Sequence, residues 1–319
     1  MLLIFIVLLA FLGACVADLP LLNVSGFGWA ENLAFDGHGS MFVSEHSRGE
    51  MIRINLCKDG TDYCQAVHRS GFKNIGGLSI SPDGNTIYAG VTFEDKSTHI
   101  VSTSTAQVNN GQYSTIAKTS NQCNGMQLFN SILYCTSEGG VKGDGYVFTV
   151  DLATGTEQVV YTNLNADGAW INPLTQHLFV GQVESMKVAV FNISSTSRDV
   201  IFAGNFAGPG GQIKHPGLSI LDDLTLASPG GESESDGDDS KGIGSTQLFG
   251  ADWLGKKLLR FSLDGSSMEE VPVPAGIKLK ELTSVRWGKG PGFDEKSVYV
   301  SEGGGFKGIT NRSIVQIKL

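Results

Sequence analysis

Charge is scarce in this chain: Asp, Glu, Lys and Arg make up 17% of its 319 residues, and acids outnumber bases by 32 to 23. The formal net charge of −9 argues against nucleic acid or an anionic membrane surface as partner. Long amphipathic helical patterns and heptads are missing, which excludes a helical bundle or coiled coil. The only long apolar run covers residues 1–13, too short to span a bilayer comfortably, and no later stretch could serve as a stop-transfer helix. No CxxC pair points to zinc or thiol redox chemistry. There is no G-x-S-x-G elbow and no H-E-x-x-H. A G-x-G-x-x-G match over residues 303–308 lies in a turn with no helix after it, and reads as a loop rather than a dinucleotide site.

Small residues follow the first apolar run, and Cys15-Val16-Ala17 fits a small-x-small cleavage pattern. Residues 1–17 are therefore expected to be a secretory signal peptide, and 18–319 a single extracellular domain. A basic stretch at the start is missing, and Leu12-Gly13-Ala14-Cys15 also reads as a lipoprotein box that would lipidate Cys15. Without Cys15 four cysteines remain, an even number in an oxidising compartment. Cys57 and Cys64 flank the turn Lys58-Asp59-Gly60-Thr61, and Cys123 and Cys135 bracket residues 126–133 in the same way. Two local disulfides are expected, Cys57–Cys64 and Cys123–Cys135, with buried free thiols as the alternative. Three sequons make Asn23, Asn192 and Asn311 candidate glycosylation sites.

What the chain has in quantity is glycine, 42 residues of it, spaced as turns between short apolar runs. Residues 28–54, GWAENLAFDGHGSMFVSEHSRGEMIRI, set the pattern. Apolar runs at 33–35, 41–43 and 51–54 are separated by turns at Asp36-Gly37-His38-Gly39 and Arg48-Gly49, giving a meander that cannot bury its faces alone. The layout returns five times, from about Gly76, Cys123, Asp167, Asp222 and Thr283, at roughly the ~40–50-residue spacing of blade repeats. The expectation is an all-β, six-bladed β-propeller with four-stranded antiparallel blades around a central channel. The stretch 21–27 reads as a lone strand that completes the last blade and removes an exposed edge.

In such a ring the starts of the innermost strands converge at one end of the channel. The residues standing there are Glu31, Gly77, Asn124, Asp167, Asp222 (with Asp223 beside it) and Thr283. Four are oxygen donors, Glu31, Asn124, Asp167 and Asp222, and the three carboxylates around one axis would repel unless a cation neutralised them. Hard oxygens without thiolate or imidazole suit a divalent cation, Ca2+ being the expected ion. A single Asp or Asn before a strand is usually only a turn former; four at equivalent positions point to a site.

These segments resemble the SMP-30/gluconolactonase/LRE-like group of six-bladed propellers, which includes regucalcin-type lactonases and diisopropylfluorophosphatase-like enzymes. AENLAFDGHGSMFVSE is similar to the family's opening segment, whose Glu binds metal, a role that falls on Glu31. CNGMQLFNSILYCTSEG places the metal-binding amide at Asn124. ADGAWINPLTQHLFVGQ matches the fourth-blade segment, with Asp167 where the family usually has Asn. LDDLTLA resembles the fifth-blade segment whose Asp binds metal and takes part in catalysis; Asp222 matches best and Asp223 stays open.

The resemblance implies metal-assisted hydrolysis of a small lactone or ester, with Asp222 activating water. His215 is a candidate for proton transfer at the rim, and Glu45, Glu138 and Glu302, which end second strands, are candidates for lining the channel mouth. The acidic run 232–239 reads as a solvated insertion. The alternative to a hydrolase is a non-catalytic secreted propeller that binds a ligand or partner around a structural calcium. A strictosidine-synthase-like propeller is disfavoured by Glu31 and Asn124. A monomer acting on a small-molecule substrate, with neither membrane nor nucleic acid as partner, completes the expectation.

Overall fold

The computed structural model describes residues 22–69, 71–138, 144–183, 187–194, 200–205, 221–227, 247–263, 267–303 and 312–319. The leader 1–17, His215, Asn311 and the acidic run 232–239 lie outside them. Among the described residues the strands form six antiparallel four-stranded sheets arranged in a ring. Almost no helix is present there, and none is long and apolar enough to cross a membrane.

Five blades are simple meanders that run outward from the channel. The first, for example, orders Ala30–Phe35, Met41–Glu45, Glu50–Leu56 and Tyr63–Arg69. The sixth takes Leu282–Trp287, Ser297–Glu302 and Arg312–Lys318 from the end of the chain and its outermost strand, Asn23–Phe27, from the start. Asn23 pairs with Val315 and Val24 with Ile314, so the ring is sealed by main-chain hydrogen bonds. The outermost strands of the other blades, such as Ser114–Thr119 and Glu157–Leu164, occupy stretches that the repeat pattern leaves between units.

Among the described residues there is no single core. Six apolar clusters each fill one seam between neighbouring blades. Leu33, Met41 and Val43 of the first blade pack with Tyr299 and Ile314 of the sixth, while Phe42 and Met51 pack with Ile75 and Leu78 of the second. All five residues of Met41–Glu45 are consequently buried, and such strands read as continuous apolar runs rather than alternating ones. Turn chemistry is local: the Asp36 carboxylate accepts the N–H groups of His38 at 2.7 Å and Ser40 at 2.9 Å. Gly37 and Gly39 then supply φ values of 75° and 99° that a side chain would resist.

Both cysteine pairs stand at disulfide distance, with Cα separations of 5.1 Å for Cys57–Cys64 and 5.2 Å for Cys123–Cys135. The second pair closes a 12-residue separation and holds Cys123 beside Asn124 at the channel. Replacing both Cys123 and Cys135 by serine is expected to cost about 3 kcal/mol of stability, from the loop-closure entropy restored to the unfolded chain. Chemical denaturation of the oxidised wild type and the double variant measures it. Of the sequons within the described residues, Asn23 is exposed on the outer strand of blade six, and Asn192 ends Lys187–Asn192 with its Oδ1 accepting from Ser194 Oγ at 2.6 Å.

Candidate metal centre in the channel

One structural device repeats at the inner end of the blades. In blade one Ala30 pairs with Glu45 and Leu33 with Val43, so Glu31 and Asn32 together oppose only Ser44. This is a β-bulge, which bends a strand and re-aims the side chain at the extra residue. The register shifts again between Ile75 and Leu78, Ala166 and Ala169, Leu221 and Asp223, and Leu282 and Ser284. Blade three reaches a related arrangement by hydrogen bonds: Asn124 N donates to Thr136 O at 2.8 Å, and Thr136 N to Gly125 O at 2.9 Å. The residues at the bulge are thus Glu31, Gly76, Asn124, Asp167, Asp222 and Thr283. Glu31, Gly76, Asp167, Asp222 and Thr283 sit within the irregular start of their inner strands, Asn124 stands two residues ahead of Met126–Phe129, and in blade two Gly76, not Gly77, is the equivalent position.

Backbone contacts lock neighbouring bulges together. A Cβ on Gly168 would lie 2.4 Å from the Asp222 carbonyl, and one on Gly125 would lie 2.6 Å from that of Asp167. Glycine is required there because the main chain of the next blade occupies the space. Hydroxyls hold other bulge amides: Asn32 N donates to Ser44 Oγ at 2.9 Å, and Gly125 N to Thr136 Oγ1 at 2.7 Å.

Three acids and an amide meet at this end of the channel. Glu31 and Asp167 are buried, and Asn124 and Asp222 are partly so. The Asn124 amide donates to Asp167 Oδ1, and the Trp29 indole to Glu31 Oε2. Burial raises the Glu31 pKa to about 8, opposed by the Trp29 hydrogen bond and reinforced by the charges of Glu138 and Asp223. Asp167 is also raised, by burial first and then by Glu138 and Glu31. For Asp222 burial again leads, followed by the charges of Asp167 and Glu31. Asp222 thus feels the charges of Asp167 and Glu31, and Glu138 and Asp223 act on all three acids.

Asp223 faces elsewhere. It is fully buried and accepts hydrogen bonds from Arg286 Nη1, from the Ser284 hydroxyl and, at 2.8 Å, from Leu224 N. Its pKa is raised by burial, against the lowering effect of Arg286. Arg286 in turn lies over Trp170, 5.3 Å from the ring centre. Asp223 joins blades five and six, and Arg286 carries the link on to Trp170 of blade four, whereas Asp222 has Asp167 and Glu31 as its leading charged neighbours.

Of the three acids that end second strands, Glu138 lines the channel mouth. Glu45 is taken up by Ser47 and Arg48, and Glu302 by Lys280 N at 2.9 Å and Ser313 N at 3.1 Å. A cavity of about 320 Å³ opens beside the site, lined by Trp29, Glu31, His46, Gln122, Asn124 and Glu138. Trp29, His46 and Gln122 escaped the repeat reading, although Trp29 stands two residues before Glu31, where an extended chain puts both on one face.

The donor set fits a hard cation: carboxylate and amide oxygens, with the nearby Arg286 already committed to Asp223. Among the described residues no three carboxylate, imidazole or thiol groups are drawn together into a finished cage. Glu31 accepts from Trp29 and Asp167 from Asn124, each through one named carboxylate oxygen. Without a cation, the raised pKa of Glu31 adds stability that is complete below its ordinary 4.5 and is lost as pH rises through about 8. Chelator-treated protein is therefore expected to melt lower at about pH 9 than at about pH 5, and saturating calcium to reduce that difference. Thermal melts at both pH values check this.

A six-bladed β-propeller with an acidic, oxygen-rich cluster at one end of its channel is the class that fold and site define. The sequence matches no protein-family model and no curated protein. Solved structures do match. A calcium-binding protein, regucalcin, from Agrobacterium tumefaciens is 14% identical, with 92% of each chain covered and a TM-score of 0.61. XC5397 from Xanthomonas campestris, a gluconolactonase, is 12% identical, covering 94% of this chain and 92% of that one at a TM-score of 0.60. An auxiliary nutrient binding protein from Bacteroides thetaiotaomicron is 12% identical, covering 92% of this chain and 70% of that one at 0.63. Regucalcin and the gluconolactonase are propellers of the SMP-30/gluconolactonase/LRE-like kind that the blade-opening segments resemble, and the likeness shows a shared fold.

Proposed function

We propose that the protein is a secreted, monomeric, calcium-dependent hydrolase of the SMP-30/gluconolactonase type, acting on a small lactone or ester. The observation that supports this reading is that Glu31, Asp167 and Asp222 are all held above their ordinary pKa by burial and neighbouring acids, with Asn124 donating to Asp167. These four residues would hold the cation. When bound, it supplies Lewis-acid polarisation of a carbonyl and stabilisation of the charge that develops on its oxygen.

Asp222 is the proton acceptor. It is the least enclosed of the three acids, and its carboxylate would take a proton from water at the carbonyl. The adjoining cavity of about 320 Å³ is of the size that takes small molecules. Its wall is largely polar side chains, which suits a hydroxylated substrate such as a sugar lactone better than an apolar ester.

The test is hydrolysis of a panel of aldonolactones and aryl esters, with calcium and then with chelator, by wild type and Asp222→Ala. Turnover that needs calcium and disappears in the variant supports the reading. Asp167, which adds a negative charge where the resembled family usually has Asn, favours the second reading, a binding propeller pinned by a structural cation. No turnover on the panel, with calcium still raising the melting temperature, selects that second reading.

A further inference from the structure

We infer that Trp29 is the positioning residue for Glu31: its indole N–H engages one carboxylate oxygen, presents the other to the channel, and so sets the affinity for a divalent cation. The inference rests on the metal reading above. Trp29 precedes the strand Ala30–Phe35, and its Nε1–H donates to Glu31 Oε2. The main chain of Trp29 is itself held on both sides. Its N–H donates to Glu45 Oε1, and its carbonyl accepts from His46 N at 2.8 Å. Glu45 is fully buried and fixed by Ser47 Oγ at 2.8 Å, Arg48 N at 3.0 Å and Arg48 Nε at 2.9 Å.

The ring is confined as well. His46 lies against it with centroids 5.5 Å apart, and is itself oriented by Ile75 O at 3.1 Å from Nδ1. Across the seam with blade six, a Cβ on Gly303 would come within 3.1 Å of Trp29 Nε1, so the indole uses the room that this glycine leaves. A residue held this way is poorly explained as cavity lining alone, because each of these contacts fixes where its one polar hydrogen points.

The choice of donor has a chemical consequence. An indole N–H stabilises the ionised carboxylate without adding positive charge. A Lys or Arg at the same place would orient Glu31 equally well but would repel an incoming cation. Outer partners of metal ligands typically change metal affinity by about 10–100-fold when removed.

The experiment is calcium titration of chelator-treated wild type and Trp29→Phe, followed by calorimetry and by tryptophan emission. Phe keeps the ring packing and deletes the N–H. The expected result is a Kd raised by about 10–100-fold, with the melting temperature in chelator close to wild type. A saturable emission change in wild type, tracking calcium occupancy and lost in the variant, is expected alongside. Equal calcium affinity in the two proteins would overturn the inference and leave the metal reading standing. No calcium binding by wild type would overturn both. Should the Phe variant fail to fold, the wild-type emission decides, since calcium binding without any emission change contradicts a role for Trp29 at Glu31.

Discussion

Asp222→Ala is expected to lower kcat/KM for a calcium-dependent lactone substrate by about 10³-fold or more. The substitution removes a cation ligand and the proton acceptor together, so binding of the metal and the chemical step both suffer. Asp222→Asn separates the two roles. The amide keeps an oxygen for the cation but cannot take a proton, so calcium should still raise the melting temperature while kcat stays near background. Neither change should weaken the fold in the absence of metal. Asp222 is held above its ordinary pKa by burial and by Asp167 and Glu31, and removing it relieves repulsion. Steady-state kinetics and chelator melts on the two variants give both results.

Its neighbour should behave in the opposite manner. Asp223→Ala is expected to cost about 3–5 kcal/mol of stability, because Arg286 would be left as an uncompensated buried charge. Arg286 is 5% exposed and pairs with Asp223 through Nη1. Urea unfolding measures the loss, and calcium should recover little of it, since the defect lies in the seam between blades five and six. If instead Asp223→Ala were stable and lost calcium binding while Asp222→Ala kept it, the two aspartates would have to exchange roles.

That pair also marks where the sequence was legible and where it was not. The repeats of short apolar runs and Gly-bearing turns gave the six blades, their order and the closing strand from residues near the start. They did so because strands buried on two faces leave strong apolar signatures. The outermost strands were harder to see. Glu157–Leu164, for instance, carries exposed Gln158, Val159, Thr162 and Asn163, with little pattern to separate it from a loop. The bulges were invisible as such. Two residues between flanking apolar ones, as in Ile75-Gly76-Gly77-Leu78, do not announce which one turns inward, and the expected position in blade two slipped to Gly77.

Long-range partners explain the other gaps. Asp222 and Asp223 are chemically identical and stand side by side between Leu221 and Leu224; what distinguishes them is Arg286, 63 residues downstream of Asp223. Glu45, Glu138 and Glu302 stand at the ends of equivalent strands, yet two of them pair with Arg48 and Lys280 whereas Glu138 lines the cavity. The candidate set itself needed no partner information, because equivalent positions of a closed ring place Glu31, Asn124, Asp167 and Asp222 at the same end of the channel.

The central claim is that this cluster binds a divalent cation, and the most direct test is calorimetric titration of calcium into chelator-treated protein near pH 7. Running it in two buffers of different ionisation enthalpy counts the protons exchanged. With Glu31 raised to about 8 in the metal-free protein, binding at one site should release protons as the acids ionise around the cation. Saturable one-site binding with proton release, weakened in Asp222→Ala, is the result expected. An absence of binding, or binding that releases no protons and is unchanged in Asp222→Ala, would contradict the account and place any calcium elsewhere.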